Sequence, residues 1–152
     1  MKTITFEMKS LLRISLYLTE YPELTSKRKF VKKGITILRQ YTPKILKYLS
    51  HQQVLSNLGQ FKIRIITEDK KDLRKVRQVF KLWIQKEKSK RIICLIIEAI
   101  LIPFTAVLAI LPGPNFFFYV PALLFYYHLM SFLGLKKVDA DRLNIEILTS
   151  EI

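Results

Sequence analysis

Thirty-seven consecutive residues, Ala99 through Leu135, contain no Asp, Glu, Lys or Arg, in a chain of which 25% is charged. Counted from Ile92, and admitting the single acid Glu98, the apolar tract is 44 residues long. Its middle is Leu111-Pro112-Gly113-Pro114-Asn115. Each proline lacks an amide donor and turns the residue before it away from helical angles, so no straight helix passes through. Two runs, 92–111 and 116–135, joined by a turn at 112–115, therefore read as a transmembrane helical hairpin. A hydrocarbon core of about 30 Å takes about 20 residues at ~1.5 Å each. The competing arrangement is a hairpin buried in a soluble core. Helices apolar on every face belong inside large proteins or in lipid, and a chain of 152 residues offers little to bury them.

The net charge of +14 is unevenly placed. Residues 1–91 hold 23 basic and 7 acidic side chains, whereas residues 92–152 hold 3 and 5. Lys86, Lys88, Lys90 and Arg91 precede the first run, and Lys136 and Lys137 follow the second. The positive-inside rule puts both flanks, and both termini, on the cytoplasmic or matrix side. The membrane is then a bacterial inner (plasma) membrane or the mitochondrial inner membrane. The run Lys27, Arg28, Lys29, Lys32 and Lys33 is expected to face anionic lipid headgroups, at about 1 kcal/mol per well-placed charge. A solvated helix face explains the same run, and nucleic acid is the competing polyanion.

Three short segments alternate with period two: Thr3–Met8, Phe61–Ile66 and Leu143–Leu148. Each is a half-buried strand in pattern, and none is stable alone. Their pairing in one small sheet requires the chain to return to the same side of the membrane after the hairpin. Helices are expected over Leu11–Thr19, over Lys27–Leu49 with a kink or split at Pro43, and from Glu68 with an apolar stripe of Leu73, Val76, Phe80, Trp83 and Ile84. The predicted fold is thus an α+β membrane protein. Residues 1–91 form a small basic domain that contributes to a three-stranded sheet, 92–135 the hairpin, and 136–152 a returning strand.

Folding the tract about Gly113 brings Glu98, 15 residues before it, level with His128, 15 residues after it. Each is about 10–12 Å from a basic flank at helical rise. Ionisable groups at membrane depth face protein or water and find partners. Histidine changes charge between pH 5 and 8. A Glu98–His128 pair is therefore a candidate proton or cation site, with Tyr126 as a nearby donor. The plainer reading has Glu98 snorkelling and His128 bonded to a backbone carbonyl. Pro103 leaves the Ala99 carbonyl without its helical donor. It marks a helix kink, and that carbonyl is available to Thr105, water or a cation.

The segment Leu111 to Asn115, followed by Tyr126, His128 and Gly134, resembles the signature of the mitochondrial potassium–proton exchange-related family. In that family an LPGPN turn leads into a span carrying Tyr-x-His and a later glycine. The resemblance covers roughly residues 100–135. It implies an inner-membrane component connected with potassium–proton exchange. Leu124 and Met130 stand where relatives often carry basic side chains, so any ion-handling role of those positions does not transfer.

Two spans cannot enclose a path alone, so transport requires a homo-oligomer or other membrane subunits. The alternatives are a non-transporting anchor or scaffold whose basic domain binds lipid, and a membrane-tethered RNA or ribosome adaptor. No enzyme is expected. One cysteine, two histidines and four glycines provide no nucleophile, metal, nucleotide or cofactor constellation.

Overall fold

The computed structural model describes residues 3–10, 13–17, 24, 27–41, 43–67, 73–108, 116–139 and 145–149. The turn residues Leu111, Pro112, Gly113, Pro114 and Asn115 lie outside them. The elements in chain order are β1 (Thr3–Ser10), β2 (Arg13–Tyr17), α1 (Lys29–Tyr41), α2 (Pro43–Ser56), a 3-10 turn (Leu58–Gln60), β3 (Lys62–Thr67), α3 (Leu73–Leu108), α4 (Phe116–Lys137) and β4 (Ile145–Thr149).

Strands form at each of the three segments with period-two alternation, and a fourth joins them. The sheet order is β2-β1-β3-β4. The helix expected over Leu11–Thr19 is instead β2, antiparallel to β1, with Phe6 opposite Leu16 and Met8 opposite Ile14. The apolar positions there are compatible with either period, and pairing with β1 decides between them. β1 and β3 are parallel, as are β3 and β4. Parallel neighbours need long crossovers. α1 and α2 supply the first, and the α3–α4 pair supplies the second.

One face of the sheet buries Ile4, Phe6, Met8, Ile63 and Ile65. Against it lies the first half of α3, through Val76, Phe80 and Ile84, with Trp83 partly buried beside them. Phe6 meets Phe80 edge-on at 5.2 Å and Trp83 at 5.0 Å. Trp83 is thus a packing residue of this core. The opposite face is wet: Lys62 and Arg64 reach Glu146 at 3.2 and 3.3 Å.

The long basic helix splits in two, with α2 opening at Pro43, since proline suits the first helical turn and no later one. α3 continues unbroken across residue 91, from the sheet into the apolar tract. Its second half pairs with α4. On its outer side Ile92, Ile93, Ile96, Ile97, Ile100, Leu101, Phe104 and Val107 are exposed. Among the described residues one helix, Phe117–Lys137, is long and apolar enough to cross a membrane.

α1 and α2 run beside α4 in the same direction. Phe30 meets Tyr119, Tyr48 meets His128, and Ser131 meets Gln52. A second apolar core, Val31, Ile35, Leu38, Leu49, Leu123 and Tyr127, fills the junction. Two glycines allow the approach. A Cβ on Gly34 would strike the Leu123 side chain, and one on Gly134 would fall on the Ser56 backbone.

Candidate functional site

The three-helix junction of α2, α3 and α4 contains a seam of polar side chains. Each helix contributes at its own spacing. α2 presents Tyr48 and Gln52, one turn apart. α3 presents Glu87, Arg91, Cys94 and Glu98 at intervals of three or four, which places them along one face. α4 presents His128 and Ser131. Glu87, Arg91, Glu98, Gln52, His128 and Ser131 are all buried. Buried polar groups of this kind persist only where they are paired.

The lower half of the seam starts at the water. Lys90, which is exposed, holds Glu87 at 2.8 Å, and Glu87 holds the buried Arg91 at 2.6 Å. The Arg91 Nε donates to Gln52 Oε1 at 2.9 Å. The Ser131 hydroxyl donates to the Gln52 carbonyl at 2.7 Å. Burial alone would raise the Glu87 pKa. The Lys90 hydrogen bond and the Arg91 and Lys90 charges outweigh it and hold that carboxyl below its ordinary range. His51, next to Gln52, is pushed down by burial and then by Arg91.

The upper half is a three-residue chain. His128 stands 2.7 Å from Glu98 Oε1 through Nδ1 and 2.6 Å from the Tyr48 hydroxyl through Nε2. Burial pushes the Tyr48 phenol up, against the pull of Arg91, and the Cys94, Glu98 and Glu87 charges add to the rise. The phenol therefore keeps its proton, and its hydroxyl donates to Nε2 or accepts from it according to the imidazole tautomer. In the tautomer with the phenol donating, the imidazole proton sits on Nδ1 and is donated to Glu98. Tyr48 is 41% exposed, so the chain reaches the surface of the molecule. It ends in the interior at Glu98 Oε2, which is buried with no hydrogen-bond partner among the described residues.

Beyond Glu98 lies a groove of about 400 Å³ between α3 and α4. Apart from Cys94 and Thr105, its remaining walls are apolar: Ile97, Leu101, Phe117, Val120, Pro121 and Leu124.

The two ionisable residues singled out in the apolar tract, Glu98 and His128, come together here. Tyr126 does not join them. Two residues along a helix is about 200° of rotation, and Tyr126 faces α1, where Arg28 sits 5.3 Å above its ring. Tyr48 takes the expected donor's place. The clue in the sequence was Gln52, a polar residue on the stripe with Ile45 and Leu49, which marks a buried polar contact one turn from Tyr48. Pro103 is exposed within α3. Thr105 donates to the Leu101 and Ile102 carbonyls, not to Ala99. Lys27, Arg28, Lys29, Lys32 and Lys33 are all exposed at the start of α1. Lys33 lies 6.0 Å from the centre of the Tyr119 ring, so this basic end sits beside the first half of α4.

No curated protein and no solved structure is significantly similar to the chain. A family model described as mitochondrial K+-H+ exchange-related matches residues 1–140. The match takes in both halves of the seam, the groove and three of the four strands, well beyond the turn and the Tyr-x-His segment. The chain belongs to the mitochondrial K+-H+ exchange-related family.

Proposed function

We propose that this chain is a membrane component of potassium–proton exchange in the mitochondrial inner membrane, in which Tyr48, His128 and Glu98 carry the proton. The observation that carries this reading is an imidazole bonded through both nitrogens, to a half-exposed phenol on one side and a buried carboxylate on the other. A proton taken up by the Tyr48 hydroxyl from water displaces its own proton onto Nε2. The Nδ1 proton then passes to Glu98. The phenol is never left ionised, and Glu98 becomes neutral. When Glu98 is ionised it carries the charge that a cation would balance, so proton and cation compete for one carboxylate.

The exposed apolar side of α3 and the composition of α4 support insertion as a hairpin, with the turn on the far side. β4 lies next to β3, so an inserted hairpin returns the chain to the side it left, consistent with both termini in the matrix. The outer side of α1 and α2 carries exposed Lys29, Lys32, Lys33, Arg39, Lys44 and Lys47. Lipid does not solvate such a row, so the inserted form needs copies or partners that keep water along it. An oligomer meets that need and the need for an enclosed path.

The test is proton-coupled potassium flux in liposomes containing only this protein. Flux that is abolished by Glu98→Gln and by His128→Ala supports the proposal. Absence of flux from correctly inserted oligomers rejects it. The basic row also favours a second reading, an anchor that binds anionic lipid without transporting. In that case reversing the charges at Lys27–Lys33 abolishes function, whereas Glu98→Gln and His128→Ala do not.

A further inference from the structure

We propose that the groove between α3 and α4 binds an amphiphilic primary ammonium, its charged head against Glu98 and its alkyl chain along the apolar walls. Glu98 is 6% exposed. It spends one oxygen on His128, while the other has no hydrogen-bond partner among the described residues. The carboxyl group lines an otherwise largely apolar groove. A buried carboxyl oxygen with no donor is costly. His128 engages Oε1 alone, so whichever nitrogen carries the proton, Oε2 is left without a donor among the described residues.

A ligand that uses the groove walls as well as the carboxyl group brings a positive charge with hydrogen-bond donors and an apolar body. An alkylammonium has both. A small hydrated cation gains nothing from walls of Ile97, Leu101, Val120, Pro121 and Leu124. A neutral alcohol donates a hydrogen bond but brings no charge. A trimethylated head carries the charge but cannot donate. The groove volume of about 400 Å³ lies in the range of small-molecule sites, roughly 300–1,000 Å³. The site shares Glu98 with the relay, but binding to it does not require ion movement.

Cys94 is the one cysteine of the chain and lines this groove, so its alkylation reports occupancy at a single position. In liposomes holding the full chain, dodecylamine is expected to slow alkylation by N-ethylmaleimide at least tenfold, and saturably. Dodecanol and dodecyltrimethylammonium at equal membrane concentration should have at least tenfold weaker effects. Glu98→Gln should lose the amine effect while retaining the helical content of the wild type. Leu101→Cys in a Cys94→Ser background reads the same comparison from a second position in the groove. Equal shielding by dodecanol overturns the proposal in favour of an uncharged lipid cleft, and so does shielding that survives Glu98→Gln. Shielding that exists without amine and rises with protein-to-lipid ratio overturns it in favour of a second copy covering the groove. No shielding at either cysteine overturns it outright. None of these outcomes depends on potassium flux.

Discussion

The two ends of α3 are held by different physics. Near the sheet, Val76, Phe80 and Ile84 sit among Ile4, Phe6, Met8, Ile63 and Ile65, and every side chain of that buried core is apolar. Sixteen Å or so further along the axis, at ~1.5 Å per residue, the same helix presents Arg91 and then Glu98 to a junction held by directed hydrogen bonds. The first end gains from burying surface, which tolerates small changes of angle. The second depends on each donor finding its acceptor, which tolerates few. A protein that needed only a folded hairpin would have repeated the first solution. The carboxylate, imidazole and guanidinium buried in the second are what the proposed proton path rests on.

The contrast yields a graded set of expected outcomes. Phe80→Ala should have the largest effect on stability, about 3–5 kcal/mol for a truncated core aromatic, measured by chemical unfolding. A loss under about 1 kcal/mol would break the claim that burial holds the sheet end. Gly134→Ala drives a Cβ onto the Ser56 backbone and should cost about 1–3 kcal/mol. Tyr48 and His128 should uncouple with it, visible as faster amide exchange in α2 than in the sheet.

Tyr48→Phe removes one hydrogen bond to His128 and should cost about 0.5–1.5 kcal/mol. In a double-mutant cycle with His128→Ala the two should be non-additive; strict additivity would dissolve the chain of bonds into separate contacts. The smallest effect is on pH dependence. Folding lowers the His51 pKa from its ordinary 6.5. Its stabilisation is therefore complete above that value and is lost as pH falls below it toward the folded value. Glu87, also lowered from 4.5, adds a second loss in the acid range, as pH falls through its depressed value. The midpoint of thermal unfolding should thus drop in two steps on acidification, and His51→Gln should remove only the first. A single acid step in the wild type would show that burial of His51 does not matter.

Particular residues show why some of this was readable from the chain and some was not. Counting outward from Gly113 lands on Glu98 and His128 because helical rise is regular and an antiparallel pair shares depth. That count needs only the turn position. Tyr48 is 80 positions from His128, on a helix that meets α4 closely at Gly134; Gln52 marks a buried polar contact on that helix, but no local pattern names its partner. Tyr126 is near His128 in sequence, but helical rotation carries it to another side of α4, against Arg28. β2 was hidden for a different reason. Neither glycine nor proline separates it from β1, so the usual punctuation of a hairpin is missing. The apolar positions of Leu11–Thr19 fit a helix as easily. Pairing with Phe6 and Met8 settles the matter, and that pairing is tertiary.

The position of β4 has a consequence for how such a chain is made. β1, β2 and β3 are all synthesised before the apolar tract, yet one edge of β3 has no neighbour until β4 emerges behind it. Until then that edge is open to mispairing. Completion of the sheet therefore waits on synthesis of both α3 and α4. In the membrane-inserted form proposed above, the last strand would act as a latch, pairing with β3 only after both helices of the tract are in place.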